Sequence, residues 1–232
     1  LHRLIRRQRQ MCIRDRYAIE TKMLKKIYGE QVAVNNVSLH IPKGHIYGLL
    51  GRNGAGKTSI MKLLLRLISA TSGEVYIFGQ PVINRERRLF KRIGAIIETP
   101  GFYSNLTGTE NLEIFAKLRG VTKPHAVEHA LELVGLPYRD KKLFGEYSLG
   151  MKQRLGIANA IMHDPDLLIL DEPINGLDPI GIAEVREFIR KLSVKEGKTI
   201  LISSHILSEV SMIADDIGIL DHGAVSYTHL TL

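Results

Sequence analysis

The sequence has a single cysteine, no tryptophan and no long apolar run. Because a lone Cys12 cannot build a disulfide framework, the composition fits a cytosolic setting. Apolar segments such as Ile46–Leu50 and Leu167–Leu170 are far shorter than the roughly 20 residues that span a bilayer, so we expect any membrane link to come through a partner. The 232 residues, 44% of them hydrophobic, suffice for one well-buried domain or two small lobes.

The net charge of +8 is unevenly distributed along the chain. Residues 1–16 hold six arginines and one aspartate, so they contribute +5 and leave only +3 for the remaining sequence. A basic protein invites a nucleic-acid interpretation, but the modest +3 outside residues 1–16 does not support it. We therefore expect no nucleic-acid partner.

The two ends of the chain are related through the genetic code. Met11-Cys12-Ile13-Arg14-Asp15 can be encoded by a sequence whose reverse complement encodes Val225-Ser226-Tyr227-Thr228-His229. This shared sequence resembles the transposon end used to fragment DNA for sequencing. We expect residues 1–16 and 225–232 to be translated adapter, with a native basic tail as the alternative. The native domain is then 17–224, truncated at its C terminus.

Hydrophobic periodicity predicts an α/β fold with two additional lobes. Alternating β-branched patterns at Ala18–Lys25, Val32–Ile41 and Gly73–Gly79 predict an antiparallel β lobe. Residues about 100–160 show helical patterns punctuated by glycine and proline, which predicts an inserted α-helical lobe. Short buried strands that alternate with helices predict a parallel sheet core. The predicted strands of this core are Ile46–Leu50, Leu167–Leu170, Thr199–Ser203 and Ile217–Leu220, and the predicted helices are Thr58–Ile68 and Ile182–Lys195.

Gly51-Arg52-Asn53-Gly54-Ala55-Gly56-Lys57-Thr58 matches G-x-x-x-x-G-K-[ST] between a predicted strand and a predicted helix. Glycines let backbone N–H groups converge on phosphate oxygens at a helix N-terminus. We expect Lys57 to reach the β- and γ-phosphates and the Thr58 hydroxyl to bind Mg²⁺. The candidate nucleotide-binding residues here are Gly51, Asn53, Gly54, Ala55, Gly56, Lys57, Thr58 and Ser59.

Two further places supply polar groups suited to phosphate chemistry. Asp171 and Glu172 end the buried strand Leu167–Leu170, where Asp171 would hold Mg²⁺ and Glu172 would orient or deprotonate water. An acidic pair at a strand end is also often merely solvated. Ser148 and Gly150 open a predicted helix whose free N-terminus suits a γ-phosphate, although Ser148 could equally be an ordinary N-cap.

The segment Tyr147–Leu155, followed by Leu167–Pro173, resembles the signature and Walker B elements of the ATP-binding cassette (ABC) family. This resemblance implies a P-loop NTPase (RecA-like) core, ATP and Mg²⁺ as cofactors and Glu172 as the catalytic carboxylate. It also implies that Ser148 and Gly150 contact ATP held by another subunit, in a homodimer or a heterodimer. It further implies a separate transmembrane permease as a partner, so the chain is expected to be peripheral, at the cytoplasmic face of the membrane.

Three more segments resemble elements of the family. Asn175–Pro179 resembles the D-loop, with Asp178 communicating across the dimer, although Gly and Asp-Pro also suit a simple turn. His205 follows a buried strand and resembles the switch histidine that contacts the γ-phosphate; a lone histidine there is often incidental. Tyr28 lies where the family places an aromatic residue against adenine, or it merely packs. Lys57, Glu172 and His205 are the expected catalytic residues.

The chain also departs from the common family pattern. Leu149 and Met151 stand where Gly and Gln are usual, and Glu98 replaces the glutamine that senses Mg²⁺ and contacts the permease. The expected metal site is therefore Thr58, Asp171 and Glu98. Together with Pro100–Thr107, these departures resemble the exporter subgroup associated with bacitracin and lantibiotic resistance, which implies coupling through Glu98 and residues 102–106.

The expected function is ATP-driven export of peptide antibiotics or related amphiphiles. The alternative is a soluble ABC ATPase in translation or DNA repair. Such translation factors usually carry tandem cassettes, and such repair proteins carry long coiled coils; neither pattern is found in the sequence. A third possibility, a non-hydrolysing regulatory cassette, is disfavoured because the catalytic Lys57, Asp171, Glu172 and His205 are all present.

Overall fold

The computed structural model describes residues 16–83, 86–98 and 101–228. Eleven strands, β1 to β11, and seven α-helices, α1 to α7, are found in this part of the chain. The strands are Tyr17–Tyr28, Gln31–Val37, His40–Pro42, Ile46–Leu50, Ser72–Ile77, Gln80–Pro81, Ile93–Ile96, Leu167–Leu170, Thr199–Ser204, Asp216–Asp221 and Ala224–Thr228. The helices are Lys57–Leu64, Arg87–Phe90, Gly108–Arg119, Ala126–Leu133, Leu149–Ile161, Pro179–Glu196 and Leu207–Val210. Within these residues, no helix is both long and apolar enough to cross a lipid bilayer.

The central sheet has the strand order β11-β10-β4-β9-β8-β7, and all neighbouring pairs except β10 with β11 are parallel. All four residues of β8 and all six of β9 are buried, as the continuous apolar runs predict. Strand β9 lies between β4 and β8, so the segments that follow these three strands meet at one edge of the sheet. The predicted α/β class is confirmed, and this edge is where such sheets bind ligands.

A second sheet is built around β1, which pairs antiparallel with β2, β3 and β5. The prediction of one continuous strand over Val32–Ile41 is wrong, because the chain breaks into β2 and β3. Asn36 has a positive φ of 51°. The buried Thr21 hydroxyl then donates to the Val37 carbonyl and accepts from the Leu39 amide, replacing regular ladder bonds at the break.

The helices α3, α4 and α5 fall within the predicted helical lobe. Helix α3 starts with a capping box between Thr107 and Glu110. Leu112, Leu131 and Leu155 of these helices share one buried cluster with residues of the parallel sheet, so the lobe has no separate core. A Cβ on Gly94 in β7 would collide with the backbone of α5, and this close approach ties the lobe to the sheet.

His163 joins the end of α5 to two other elements. Its Nε2 lies 3.0 Å from the Ile93 carbonyl, and its Nδ1 lies 3.3 Å from the Arg119 guanidinium. Burial, followed by the Arg119 charge, lowers the pKa of His163 below its ordinary value. Burial and the Arg119 charge therefore outweigh the Ile93 hydrogen bond, which acts to raise the pKa, and favour a neutral imidazole.

The predicted non-native segments are only partly described. Residues 1–15 lie outside the described residues. Strand β11, Ala224–Thr228, pairs antiparallel with β10 and includes residues from the predicted adapter segment 225–232. The adapter origin of both ends stays a prediction.

Candidate nucleotide site

The loop from Gly51 to Gly56 connects β4 to the first residue of α1. Gly54 and Gly56 have φ values of +83° and +107°, which other residues rarely adopt. A Cβ on Gly56 would lie 2.3 Å from the Ala33 carbonyl oxygen, so a side chain at this position would clash with β2. Glycine therefore lets the loop curl closely against the antiparallel sheet, as a phosphate cradle requires.

Lys57 is held over its own loop. Its Nζ donates to the Gly51 carbonyl at 2.6 Å and to the Arg52 carbonyl at 3.2 Å. It also lies 3.2 Å from Glu172 Oε1, although that oxygen has no hydrogen bond of good geometry. The side chain is 6% exposed, so its ammonium group is largely removed from water. A polyphosphate in the cleft would replace these carbonyls as hydrogen-bond acceptors of Lys57 and would bind to its positive charge.

Thr58 and Asp171 come together, as the motifs predict. The Thr58 hydroxyl donates to Asp171 Oδ2 at 2.6 Å, and the Ser203 hydroxyl donates to Asp171 Oδ1 at 2.5 Å. Hydroxyl and carboxylate oxygens are the ligands that Mg²⁺ prefers. The described part of the chain has no group of three or more His, Cys, Asp or Glu that could cage a metal. These oxygens thus fit an ion that takes its other ligands from phosphate and water.

Glu172 lies at the centre of the site, between the side chains of Lys57 and His205. His205 Nδ1 lies 2.9 Å from Glu172 Oε2, opposite the Lys57 contact. The backbone of Glu172 has a positive φ of 47°. Its N–H donates to Ser203 Oγ at 2.8 Å, and its carbonyl accepts from the Gln153 amide at 3.2 Å. These bonds fix an unfavourable conformation that aims the carboxylate into the cleft.

Sequence reasoning missed Ser203 and Gln153 as site residues. Ser203 is fully buried, and its single hydroxyl contacts both Asp171 and the backbone of Glu172. The sequence carries part of the signal, because Ser203 ends the predicted buried strand Thr199–Ser203. Only the pairing of β8 with β9 makes it a neighbour of Asp171 and Glu172.

We expect Ser203→Ala to lower kcat roughly tenfold and the free energy of unfolding by about 1–3 kcal/mol, because it removes a hydrogen bond to a charged group. Ser193→Ala is the matched control, since Ser193 is also buried and donates to the Gly44 carbonyl at 2.8 Å away from the site. The control should lose stability but keep kcat. Steady-state ATPase rates and urea unfolding measure both. Equal kcat in both variants would exclude a positioning role for Ser203.

Tyr28 lies at the rim of the same cleft. A cavity of about 310 Å³ is lined by residues of the antiparallel sheet, of the phosphate loop with the start of α1, and by Glu172. Tyr28 lines this cavity and is 45% exposed. The ammonium group of Lys26 lies 4.8 Å from the centre of the Tyr28 ring. The lining residues are Tyr28, Gln31, Ala33, Asn53, Gly54, Gly56, Lys57, Thr58, Ser59 and Glu172. The structure therefore brings Tyr28 together with the phosphate loop and leaves its ring available to a planar ligand.

Glu98 follows strand β7, but its described contact is not with Thr58 or Asp171. Its Oε1 accepts from Lys62 Nζ at 2.6 Å, and this hydrogen bond raises the pKa of Lys62. The Glu98 side chain is 67% exposed and does not line the cleft. A place for Glu98 among the metal ligands is not formed in this structure, because Lys62 on α1 holds its carboxylate.

Ser148, Gly150 and Asp178 lie away from the cleft that holds Lys57. Ser148 caps α5 by accepting from the Met151 amide at 3.3 Å, and Asp178 caps α6 by accepting from the Gly181 amide at 2.8 Å. The N-cap alternative for Ser148 is thus realised, and Asp178 is also an N-cap, a role that was not predicted from the sequence. A Cβ on Gly176 would lie 2.8 Å from Leu149, so the two capping turns pack side by side. Leu149 is 54% exposed, which leaves this second helix N-terminus at the surface.

The parallel sheet, the glycine-rich loop and the carboxylates beside it define a P-loop ATPase. The family model described as ABC transporter matches residues 34–175. The bacitracin transport ATP-binding protein BcrA of Enterococcus faecalis is 61% identical over 207 residues, which cover 89% of this chain and 67% of that protein. The lantibiotic transport ATP-binding protein SrtF of Streptococcus pyogenes is 48% identical over 207 residues, which cover 89% of this chain and 88% of that protein.

Solved structures give the same picture. A dimeric ATP-binding cassette in a post-hydrolysis state with ADP and Pi has a TM-score of 0.80 at 25% identity, covering 90% of this chain and 96% of its own. The ATP-binding subunit of an ABC transporter has a TM-score of 0.80 at 30% identity, and the match covers 92% of this chain and 90% of that subunit. The chain belongs to the ABC transporter family, and its role is that of an ATP-binding and ATP-hydrolysing motor domain. The resemblance drawn from the signature and Walker B segments is confirmed.

Proposed function

We propose that this ATPase drives export of peptide antibiotics of the bacitracin or lantibiotic type, or of related amphiphiles. The observation that carries the proposal is the 61% identity to a bacitracin transport ATP-binding protein, together with a complete set of catalytic side chains. The motor would lie at the cytoplasmic face of the membrane, bound to a separate permease. A role in translation or DNA repair is not favoured, because the relatives above are transport proteins.

The working unit in this proposal is a head-to-tail dimer, built from two copies or from this chain and another ABC ATPase. Each chain carries two elements suited to phosphate, the Lys57 loop and the Ser148 turn, and the cleft around Lys57 is not lined by Ser148. An ATP molecule bound to one loop would be completed by the turn of the other subunit. Asp178, beside that turn, would contact the opposite subunit.

Hydrolysis in this proposal depends on the groups around Glu172. Its carboxylate accepts a proton from the attacking water, and His205, 2.9 Å away, orients the carboxylate and contacts the γ-phosphate. Lys57 binds the β- and γ-phosphates. Thr58 and Asp171 would hold Mg²⁺, which neutralises phosphate charge when bound. Hydrolysis removes the γ-phosphate that joins the two subunits, so the dimer opens.

Coupling to the permease is assigned to the surface around Glu98 and residues 102–106. Phe102 on this surface is partly buried, with its ring centre 5.4 Å from that of Phe115 and 5.1 Å from that of Phe144. Tyr103 is 54% exposed, and its backbone is held on both sides by the Asn111 amide. Tyr103 is therefore the residue that can anchor a partner helix.

We expect Tyr103→Ala to weaken peptide export about tenfold while basal ATPase stays within twofold, since truncating an aromatic anchor removes binding energy from an interface. Uptake of bacitracin or a lantibiotic into inverted vesicles containing the permease measures export. Leu118→Ala, at a residue 76% exposed on α3, is the control and should retain export. Unchanged export by Tyr103→Ala would reject this coupling surface. If the wild-type vesicles took up neither compound, the proposed substrate class would be wrong.

A further inference from the structure

Helix α1 contacts three acidic side chains that lie within two residues of the ends of β7 and β8. The contacts are Lys57 with Glu172 at 3.2 Å, Thr58 with Asp171 at 2.6 Å and Lys62 with Glu98 at 2.6 Å. Thr58 and Lys62 are four residues apart, so they lie on one face of the helix. The helix that cradles phosphate thus also positions Glu98, a residue outside the cleft.

A carboxylate at position 98 adds negative charge close to a site that already holds two acidic groups and binds a polyphosphate. The Lys62 ammonium group compensates this charge at hydrogen-bond distance. Besides Glu98, both Tyr28 and Asp171 act to raise the pKa of Lys62. Lys62 is therefore within electrostatic reach of the cleft, and so is the carboxylate it holds.

We propose that Lys62 is a positioning residue for Glu98. The Lys62 ammonium group neutralises the Glu98 carboxylate and fixes it beside the cleft, so that the pair presents no net charge to the nucleotide. The pair then substitutes electrically for a neutral side chain at position 98. The inference rests on the proposed mechanism of hydrolysis but is independent of the transported compound.

A double-mutant cycle tests the proposal through the KM for MgATP in steady-state ATPase assays. Lys62→Met leaves Glu98 uncompensated and should raise KM about fivefold with kcat within twofold, as expected for an uncompensated charge at a partly exposed site. Lys62→Arg keeps the charge and should retain the wild-type KM. Glu98→Gln alone should not raise KM. In Lys62→Met with Glu98→Gln, no charge is left and KM should return to within about twofold of wild type.

The ion pair of Lys191 with Glu187 on α6 provides the control. Its atoms are 2.7 Å apart, and Glu187 is 68% exposed against 67% for Glu98. Lys191→Met and Glu187→Gln should leave KM unchanged. The proposal is overturned if Lys62→Met does not raise KM, or if the double variant has a KM as high as Lys62→Met. A wild-type chain without ATPase activity would instead reject the mechanism of hydrolysis itself.

Discussion

Glu172→Gln is expected to lower kcat for ATP hydrolysis by about 100-fold to 10,000-fold, the range for loss of a general base. The amide keeps the shape of the side chain, but it cannot accept the proton of the attacking water. It also weakens the contacts that Lys57 and His205 make with the carboxylate at 3.2 Å and 2.9 Å. Phosphate release under single-turnover conditions measures the step directly.

The affinity for ATP and a control variant distinguish a loss of catalysis from general damage to the protein. The affinity of Glu172→Gln for ATP should stay within about threefold of wild type, because phosphates bind to the loop and Lys57 and not to the carboxylate. Glu187→Gln, which removes an exposed ion-paired carboxylate on α6, should hydrolyse ATP at the wild-type rate. A hydrolysis rate that survives Glu172→Gln would remove Glu172 from the catalytic role.

Lys57→Ala is expected to weaken ATP binding by at least about 30-fold, the scale of losing a charge-assisted contact of 2 kcal/mol or more. The Lys57 side chain is 6% exposed and lines the cleft, and no other residue of that described lining carries a positive charge. Removing it also leaves Glu172 Oε1 without its cation, which costs stability. Titration calorimetry with ATP measures the affinity.

Measuring the free energy of unfolding separates the loss of stability in Lys57→Ala from its loss of ATP affinity. Lys57→Met fills more of the space than Ala and should recover part of the free energy of unfolding without recovering ATP affinity, since it restores packing but no charge. Wild-type ATP affinity in either variant would contradict the assignment of Lys57 to the phosphates.

The parts of the site that the sequence predicts are those defined by local order along the chain. The phosphate loop, Asp171 and Glu172 each follow a buried strand, and parallel strands bring their carboxyl ends to one edge. The antiparallel lobe and the helical lobe were equally visible from periodicity. Tyr28 and His205 follow the order of a family pattern, and the structure places both at the site.

What the sequence does not reveal depends on pairing across the fold. The register of Leu170 opposite Ile202 sets Asp171 beside Ser203, and nothing in either segment alone states that register. The contact of Lys62 with Glu98 likewise requires the packing of α1 near β7. The partial burial of Phe102 likewise depends on Phe115 of the following helix, whose ring centre lies 5.4 Å from its own.

Local backbone geometry explains why the first helix of the core is shorter than predicted. The apolar spacing predicts a helix from Thr58 to Ile68, but α1 ends at Leu64. Arg66 adopts a left-handed φ of 55°, and the Leu67 amide closes the helix end on the Lys62 carbonyl. This geometry usually marks glycine, so an arginine there gives no signal.

In the proposed dimer, each active site combines the Lys57 loop of one subunit with the Ser148 turn of another. The most direct measurement is the ATPase rate of Lys57→Ala mixed with Ser148→Arg, each inactive alone because one loses the phosphate cation and the other blocks the turn. In a mixed dimer, one site carries both changes and the other carries neither. Equimolar mixing should therefore restore about one quarter of the wild-type rate by random pairing of subunits. A mixture as inactive as its components would contradict the shared site.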